Sequence, residues 1–435
     1  MVKKLELKEC KLEGESKKGL RIIHTADWHL GGKFYSYSLE DVQNKFLESM
    51  AGIVKSTETD VLLVAGDVFD TKSPSGSVQE MYYQFLNMVR SEAKQCRHIV
   101  ILGGNHDPAK VLDAPQRLLR HFKIHVMGRM PKNVDDAILE LTDENGQVQA
   151  LLGCVPYLHT DDLPLEEVSG ESVEDSLERR RKAMHRFYDH LWDAMLKRQE
   201  AFGLDVPLML SGHLPIAGAS LYDDQESRRD GYVGNVLENR AEIFSSDASY
   251  VALGHLHRGQ SLGAGNRIRY SGSPMPMGFG ELGQEKSVVL LEVRDDCLGI
   301  ESVALPEYLG LIEVEGEWDE IEEAVESVLQ ETSKPVLLKL SYTGEDVSKA
   351  NWQVLRDRLI DTRHAIVFCE TVKRKEGLAT RRNQGISLSE LSPQYIFDQL
   401  LMRKGFSEEK SSEWQKMLNE AIELRNKKND MEGAQ

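Results

Sequence analysis

Five short motifs carry the side chains of this chain that could hold metal ions and act on a phosphate. They are Asp27-Trp28-His29, Gly66-Asp67 with Asp70, Gly104-Asn105-His106-Asp107, Gly212-His213 and Gly254-His255-Leu256-His257. Asp27, His29, Asp67, Asn105, His213, His255 and His257 make a ligand set of mixed oxygen and nitrogen donors. That is more than one ion of ordinary coordination number takes. It suits two ions sharing a bridging carboxylate, and Asp67 is the natural bridge because each of its oxygens can bind one ion. Two cations about 3.5–4 Å apart can bind a phosphate ester, lower the pKa of a bridging water and stabilise charge on the attacking and leaving oxygens. Asp, Asn and His without cysteine favour Mn2+ or Fe2+ and tolerate Zn2+; the histidines weaken the case for Mg2+.

His106 follows Asn105 directly and is assigned no metal. Beside a phosphate it could protonate the leaving oxygen or stabilise the transition state. Asp107 could orient His106 or brace the loop, and Asp70 could support a ligand from behind. Taken singly, each motif has a plainer reading. A lone histidine is more often a surface or core residue, and Asp-x-His is common. Gly-Asn-His-Asp is sharper, because glycine lets the backbone approach the site where three polar side chains gather. The joint occurrence of all five carries the reading.

Each motif follows an apolar run that reads as a buried strand: Ile22-Ile23, Val61–Val64, Ile99–Leu102, Leu208–Leu210 and Tyr250–Leu253. Ligand-type residues therefore gather at the carboxyl ends of strands, where open α/β sheets hold their sites. In an extended strand end, residues two apart face one way, which would let Asp27 and His29 address one ion, and His255 and His257 likewise. Helices are predicted near Ser38–Lys55, with Ser38 and Asp41 as a capping-box-like start, and near Ser77–Lys94, opened by Ser77 and Glu80. This βαβα order implies a layered α/β core. A hairpin turns at Asn145-Gly146 between Ile138–Leu141 and Val148–Val155. Residues 160–203 read as a polar helix carrying Arg179-Arg180-Arg181-Lys182, by default a solvated face. Strands are expected at Arg267–Tyr270 and Ser287–Val293.

The chain divides into an extension (1–20), a main α/β domain (21–304), a small α+β unit (305–380) and a helical tail (381–435). In the tail Ser392 caps, Pro393 opens the helix, and Ile396, Phe397, Leu400 and Leu401 form one apolar stripe. With 435 residues, 40% of them hydrophobic, there is ample core for two domains. The net charge of −18 argues against a broadly basic nucleic-acid binder but leaves room for local basic strips. No apolar run approaches the roughly 20 residues that span a bilayer, and residues 1–20 do not read as a secretory signal. Five dispersed cysteines, with no Cys-x-x-Cys pair, argue for reduced thiols and a cytoplasmic place of action.

The five motifs resemble those of the calcineurin-like metallophosphoesterase superfamily. His24–Gly31, Val64–Thr71, Gly104–Asp107 and Tyr270-Ser271-Gly272-Ser273-Pro274 resemble, more closely, its SbcD-like nuclease subunits. The resemblance is strong over residues 21–300 and weaker beyond. It implies a core of two packed mixed sheets flanked by helices, a small α+β capping domain and C-terminal helices. It also implies a Mn2+-dependent nuclease that degrades double-stranded DNA ends and opens hairpins in repair and recombination. Such proteins form homodimers and work with an SbcC-like coiled-coil ATPase, on which the tail helices would dock. By carry-over the seven residues above are ligands and His106 the catalytic histidine. Archaeal and eukaryotic relatives carry histidine where this chain has Asp70; bacterial ones share the aspartate. The chain has no Walker-type phosphate loop, so any ATP dependence would come from a partner. A small-molecule phosphodiesterase or phosphatase on the same core is the competing reading. A scaffold that has lost activity is disfavoured, because no ligand is missing.

Overall fold

Val61–Ala65 and His98–Leu102 are buried at every residue, as strands covered on both faces must be. The computed structural model describes residues 8–10 and 19–371, apart from 164, 166–171, 204, 220–238, 264, 295–296, 332 and 345–349. In chain order the strands and helices are β1 (Lys8–Cys10), β2 (Leu20–Thr25), β3 (Lys33–Phe34), β4 (Tyr37–Ser38), α1 (Glu40–Ser56), β5 (Val61–Ala65), α2 (Gly76–Glu92), β6 (His98–Leu102), α3 (Ala109–Asp113), α4 (Gln116–Arg120) and β7 (Ile124–Met127). The hairpin β8 (Ile138–Thr142) and β9 (Val148–Gly153) follows, then α5 (Val173–Phe202), β10 (Leu208–His213), β11 (Tyr250–Gly254), β12 (Gln260–Leu262), β13 (Ile268–Tyr270), β14 (Ser287–Val293) and β15 (Cys297–Ala304). Last come β16 (Gly310–Gly316), α6 (Trp318–Leu329), β17 (Val336–Tyr342), α7 (Trp352–Leu359) and β18 (Ala365–Thr371).

Two sheets form the body, in the orders β1-β15-β14-β2-β5-β6-β7 and β12-β13-β11-β10-β9-β8. Both mix parallel and antiparallel pairs. The alternation of side chains along a strand assigns their faces. Ile22, Leu63 and Val100 of the first sheet share a core with Leu152, Met209 and Ala252 of the second. Ile23, Leu62, Val64 and Ile101 turn the other way and pack under α1 and α2 with Phe46, Met50, Met81 and Phe85. Leu151, Leu210 and Val251 likewise face Tyr188, Leu191 and Met195 of α5. The result is helix, sheet, sheet, helix. Met50, Met81 and Tyr82 are all buried core residues.

Several local expectations need correction. The capping box at Ser38 and Asp41 does not form: α1 begins at Glu40, with Leu39 at the cap and no side-chain capping bond. The α2 cap is Ser75, whose hydroxyl accepts from Val78 N, so the cap lies before the predicted Ser77. The polar stretch from 160 becomes helical at Val173 only after a 3-10 turn at Thr160–Asp162. Cys297 is disulfide-bonded, whereas Cys96, Cys154 and Cys369 are free thiols. Sequence spacing could not reveal that pairing, which depends on what the fold brings together.

Beyond Leu305 a parallel sheet, β16-β17-β18, is crossed by α6 and α7 around Ile321, Val325, Leu338, Leu340 and Leu355. It belongs to the same compact unit as the body. Tyr37 OH donates to the Arg363 carbonyl at 2.9 Å, and Lys339 Nζ lies 5.8 Å from the ring centres of both Phe279 and Phe368. The end of the small unit, from 372, and the predicted tail helices lie outside the described residues. No helix among the described residues is long and apolar enough to cross a membrane.

Candidate metal centre

All ten residues singled out by the motifs sit at or just past the carboxyl ends of β2, β5, β6, β10 and β11. Strand alternation does not bring them together. β2 ends at Thr25 and β11 at Gly254, and the residues beyond turn left-handed: φ is 55° at Asp27, 47° at His29, 50° at Asp67 and 100° at His255. Left-handed backbone is costly for side chains other than glycine and concentrates at functional sites. Cross-loop bonds hold it here. Asp27 N donates to Gly66 O and His29 N to Asp67 O, both at 3.0 Å. Trp28 anchors the turn by donating from its indole to Thr25 Oγ1 at 2.9 Å and packing edge-on against Phe46 and Phe85.

Two glycines are required by contact. A Cβ on Gly66, at φ 97°, would fall 2.1 Å from His213 Nδ1, and one on Gly104 would fall 2.1 Å from Asp67 Oδ1. The loops can meet only because both side chains are missing.

The ligand-type atoms converge in two groups: Asp27 with His29 and His257, and Asp67 with His213 and His255. His29 Nε2 lies 3.2 Å from His257 Nε2 and 3.7 Å from Asp67 Oδ2. His213 Nε2 lies 3.0 Å from Asn105 Oδ1 and 3.2 Å from Asp67 Oδ2, and His255 Nδ1 lies 3.0 Å from the same Asn105 oxygen. Asp27 accepts from His255 N through both oxygens, at 2.9 and 3.2 Å. A third group, His29 with Asp70 and His106, adjoins these.

These contacts test whether the residues fit metal ions. His213 donates Nδ1–H to Ala65 O at 2.9 Å, so its Nε2 carries a lone pair aimed among oxygens that are themselves acceptors. Asp70 Oδ1, 3.2 Å from His29 Nδ1, leaves His29 in the same state. Lone pairs from imidazoles, carboxylates and an amide thus face one another, an arrangement that calls for positive charge at the centre. The titration behaviour agrees. Burial disfavours protonating His29, but the bond to Asp70 and the charges of Asp67 and Asp27 outweigh it and raise its pKa to about 9. Burial likewise opposes, and Asp67 and Asp27 overcome, for His213, also raised to about 9. Asp67 is held well below the usual carboxylate range despite its burial, chiefly by His213. Burial raises Asp27 and pushes His255 down to about 3, the latter helped by the charge of His213. Protons on His29 and His213 supply the charge that cations would supply.

The loop residues have separate partners. His106 N donates to Asp67 Oδ1 at 2.9 Å and its Nδ1 lies 3.0 Å from Asp70 O. Asp107 is buried and accepts from Val68, Phe69 and Gly104 N at 3.1, 2.8 and 2.7 Å, stapling one loop to the other. Burial and the charge of Asp67 lift its pKa to about 6 against those bonds.

Sequence reasoning missed four contributors. Buried Gln43 bridges His29 O and Gly31 N at 2.8 and 2.9 Å. Lys72 Nζ donates to the carbonyls of Asn105 and Asp107, bracketing His106. Glu281 and Lys286 pair behind His257. Gln43 could have been noticed as the polar residue interrupting the apolar stripe of α1; the other three left no signal in spacing.

The model of the calcineurin-like phosphoesterase family matches residues 20–259, and the chain belongs to that family. Family and site together make it a metal-dependent phosphoesterase. Three proteins that bear the name of the SbcD component of the SbcCD nuclease are similar to it. The one from Rhodobacter capsulatus is 35% identical, over 63% of this chain and 66% of its own. That from Escherichia coli K12 is 29% identical over 93% and 98%, and that from Bacillus subtilis 32% over 63% and 66%. A solved dimetal phosphatase from Danio rerio is matched over 67% of this chain and 98% of its own, at 11% identity and a TM-score of 0.38.

Proposed function

We propose that this chain is the nuclease subunit of an SbcCD-type complex. It hydrolyses phosphodiester bonds at double-stranded DNA ends and hairpins, in the cytoplasm, alongside a coiled-coil ATPase. The carrying observation is the position of Asp67. One of its oxygens lies 3.2 Å from His213 Nε2 and 3.7 Å from His29 Nε2, so it stands between the two ligand groups. That supports a bridging role between two ions held by Asp27, His29, Asp67, Asn105, His213, His255 and His257. Divalent cations bound there, Mn2+ by the donor set, supply Lewis-acid stabilisation of the phosphate and activation of water near neutral pH. The protein's own part is to bind and orient the ester and move one proton. His106, fixed at its backbone by Asp67 and at its ring by Asp70, is the group to protonate the leaving oxygen. Asp70 and Asp107 hold the ligands and the loop.

DNA as the substrate is supported by the similarity along 93% of the chain to the Escherichia coli nuclease component. The unit from 305 to 380 then acts as a cap shaping DNA access, and the tail from 381 to 435 as the docking segment for the ATPase. A homodimer has a suitable surface. Leu118 in α4 and Phe122 just past it, four residues apart, are 63% and 56% exposed.

Purified protein with Mn2+ should be offered linear duplex DNA, hairpin DNA and a generic phosphodiester. Cleavage of both DNAs is expected. Hydrolysis of the small ester alone would reject the nuclease reading in favour of a small-molecule phosphodiesterase.

A further inference from the structure

Two of the proposed ligand rings have a partner on Nδ1: Asp70 for His29 and the Ala65 carbonyl for His213. His257 has Glu281, whose Oε1 lies 3.8 Å from His257 Nδ1. Glu281 arrives from a 3-10 turn (Phe279–Glu281) in the Gly/Pro-rich stretch before β14, and its side chain is fully buried. Burying a carboxylate there is costly unless it is paired and bonded. It is both. Lys286 Nζ sits on Glu281 Oε2, and Met277 N donates to Oε1 at 3.2 Å. Lys286 also reaches Ser273 Oγ at 3.1 Å and the His257 carbonyl at 3.4 Å, while Ser273 N donates to that carbonyl at 3.1 Å. One buried ion pair therefore meets His257 twice: Glu281 faces the ring with its charge at 3.8 Å, and Lys286 and Ser273 bond to the backbone carbonyl. An apolar filling would pack this loop without that cost; the charge is aimed at the ring.

We propose that Glu281, held in place by Lys286, is the positioning residue of His257. It favours the proton on Nδ1 and so leaves Nε2 as the atom with which His257 would join Asp27 and His29 in holding an ion. A carboxylate behind a ligating imidazole orients the ring and strengthens its lone pair, and loss of such a partner weakens metal binding roughly 10–100-fold. The inference rests on the reading of this centre as a metal site, not on the substrate.

The test is Mn2+ titration of the full-length chain by calorimetry, with electron paramagnetic resonance to follow the spin-coupled pair of ions. For Glu281→Gln, one of the two sites is expected to weaken about 10-fold or more, with the coupled signal lost at limiting Mn2+ and the other site unchanged. Glu281→Asp, which keeps the charge, should recover part of that affinity, and it serves if the glutamine variant does not fold. Unchanged binding at both sites in a folded variant overturns the proposal. So does equal weakening of both sites in step with a lower melting temperature, which would mark Glu281 as structural only. Failure to cut DNA with site-selective weakening intact would count against the nuclease reading and leave this assignment standing.

Discussion

Asp70 Oδ1 stands 3.2 Å from His29 Nδ1, on the opposite side of the ring from Asp67, which faces Nε2 at 3.7 Å. One imidazole is held between two carboxylates. Asp70 also takes His106 through its backbone, with Nδ1 3.0 Å from its carbonyl oxygen. The His29 and His106 rings meet edge-on at 4.9 Å. A single residue thus braces both rings, which accounts for the third ligand-like group without a third ion.

Asp70→Ala should therefore weaken Mn2+ binding at the His29 site about 10-fold or more, because nothing then fixes the ring's tautomer. Both variants keep the backbone carbonyl to His106, but Asp70→Asn also keeps a side-chain acceptor oxygen for His29, so its loss should be smaller. Calorimetric titration distinguishes them. Equal affinities for wild type and Asp70→Ala would show that the carboxylate does not orient His29.

His106→Ala separates proton transfer from metal binding. The ring meets Asp70 O and the edge of His29, and the bond to Asp67 comes from its backbone, which alanine retains. Metal stoichiometry should stay at two ions while DNA cleavage falls roughly 10²–10⁴-fold. Loss of an ion from the variant would instead make His106 part of the metal site.

Asp107→Asn tests the staple between the two loops. The carboxylate takes three backbone N–H groups, two on Oδ2 and one on Oδ1. An amide offers one oxygen, so its NH2 must face an N–H donor. Leaving a buried donor unmet costs about 1–3 kcal/mol. Relief of repulsion with Asp67 works the other way, but cations bound at Asp67 remove most of that repulsion already. The metal-loaded variant should melt several degrees lower. An unchanged melting temperature would mean that the loops hold without Asp107.

The motifs were readable because strand ends carry them. Apolar runs at Val61–Val64 and Ile99–Leu102 announce the strands, and the polar cluster behind each announces the rim. What brings Asp27 and His29 to one centre was not readable in the same way. It is left-handed backbone at four non-glycine residues, held by loop-to-loop bonds that appear only when two motifs meet. Glu281 was invisible for a related reason: it reaches His257 from a loop 24 positions on, with no periodicity to mark it. The pairing of the two sheets follows from faces that alternate along each strand, but which strands neighbour which depends on long-range register. The capping of α2 by Ser75, not Ser77, shows that a hydroxyl near a helix start does not fix which residue caps it.

A last prediction concerns acid stability at the other end of β6. His98 Nε2 accepts from Thr142 N at 3.2 Å, so the ring's proton lies on Nδ1, which meets His125 Nε2 at 3.3 Å. Both acceptor nitrogens are in use, and a further proton on either ring breaks a bond. Burial lowers His98 to about 3 and His125 to about 4, with each aided by nearby Lys123 and Arg90. Unfolded histidine titrates near 6.5. Above that pH both states are neutral at these rings and their contribution is complete. Below it the unfolded chain takes up protons that the fold refuses, so stability falls as pH drops from about 6.5 toward 4. In the metal-free protein His29 and His213, raised to about 9, act in the opposite sense at higher pH, so the comparison must be between variants. Denaturation midpoints of wild type and the double variant His98→Gln with His125→Gln, measured from pH 7.5 to 4.5 with chelator present, should converge as pH falls, the variant showing the flatter curve. Curves that stay parallel across that range would mean the pair keeps its protons in the folded state and carries none of the acid sensitivity.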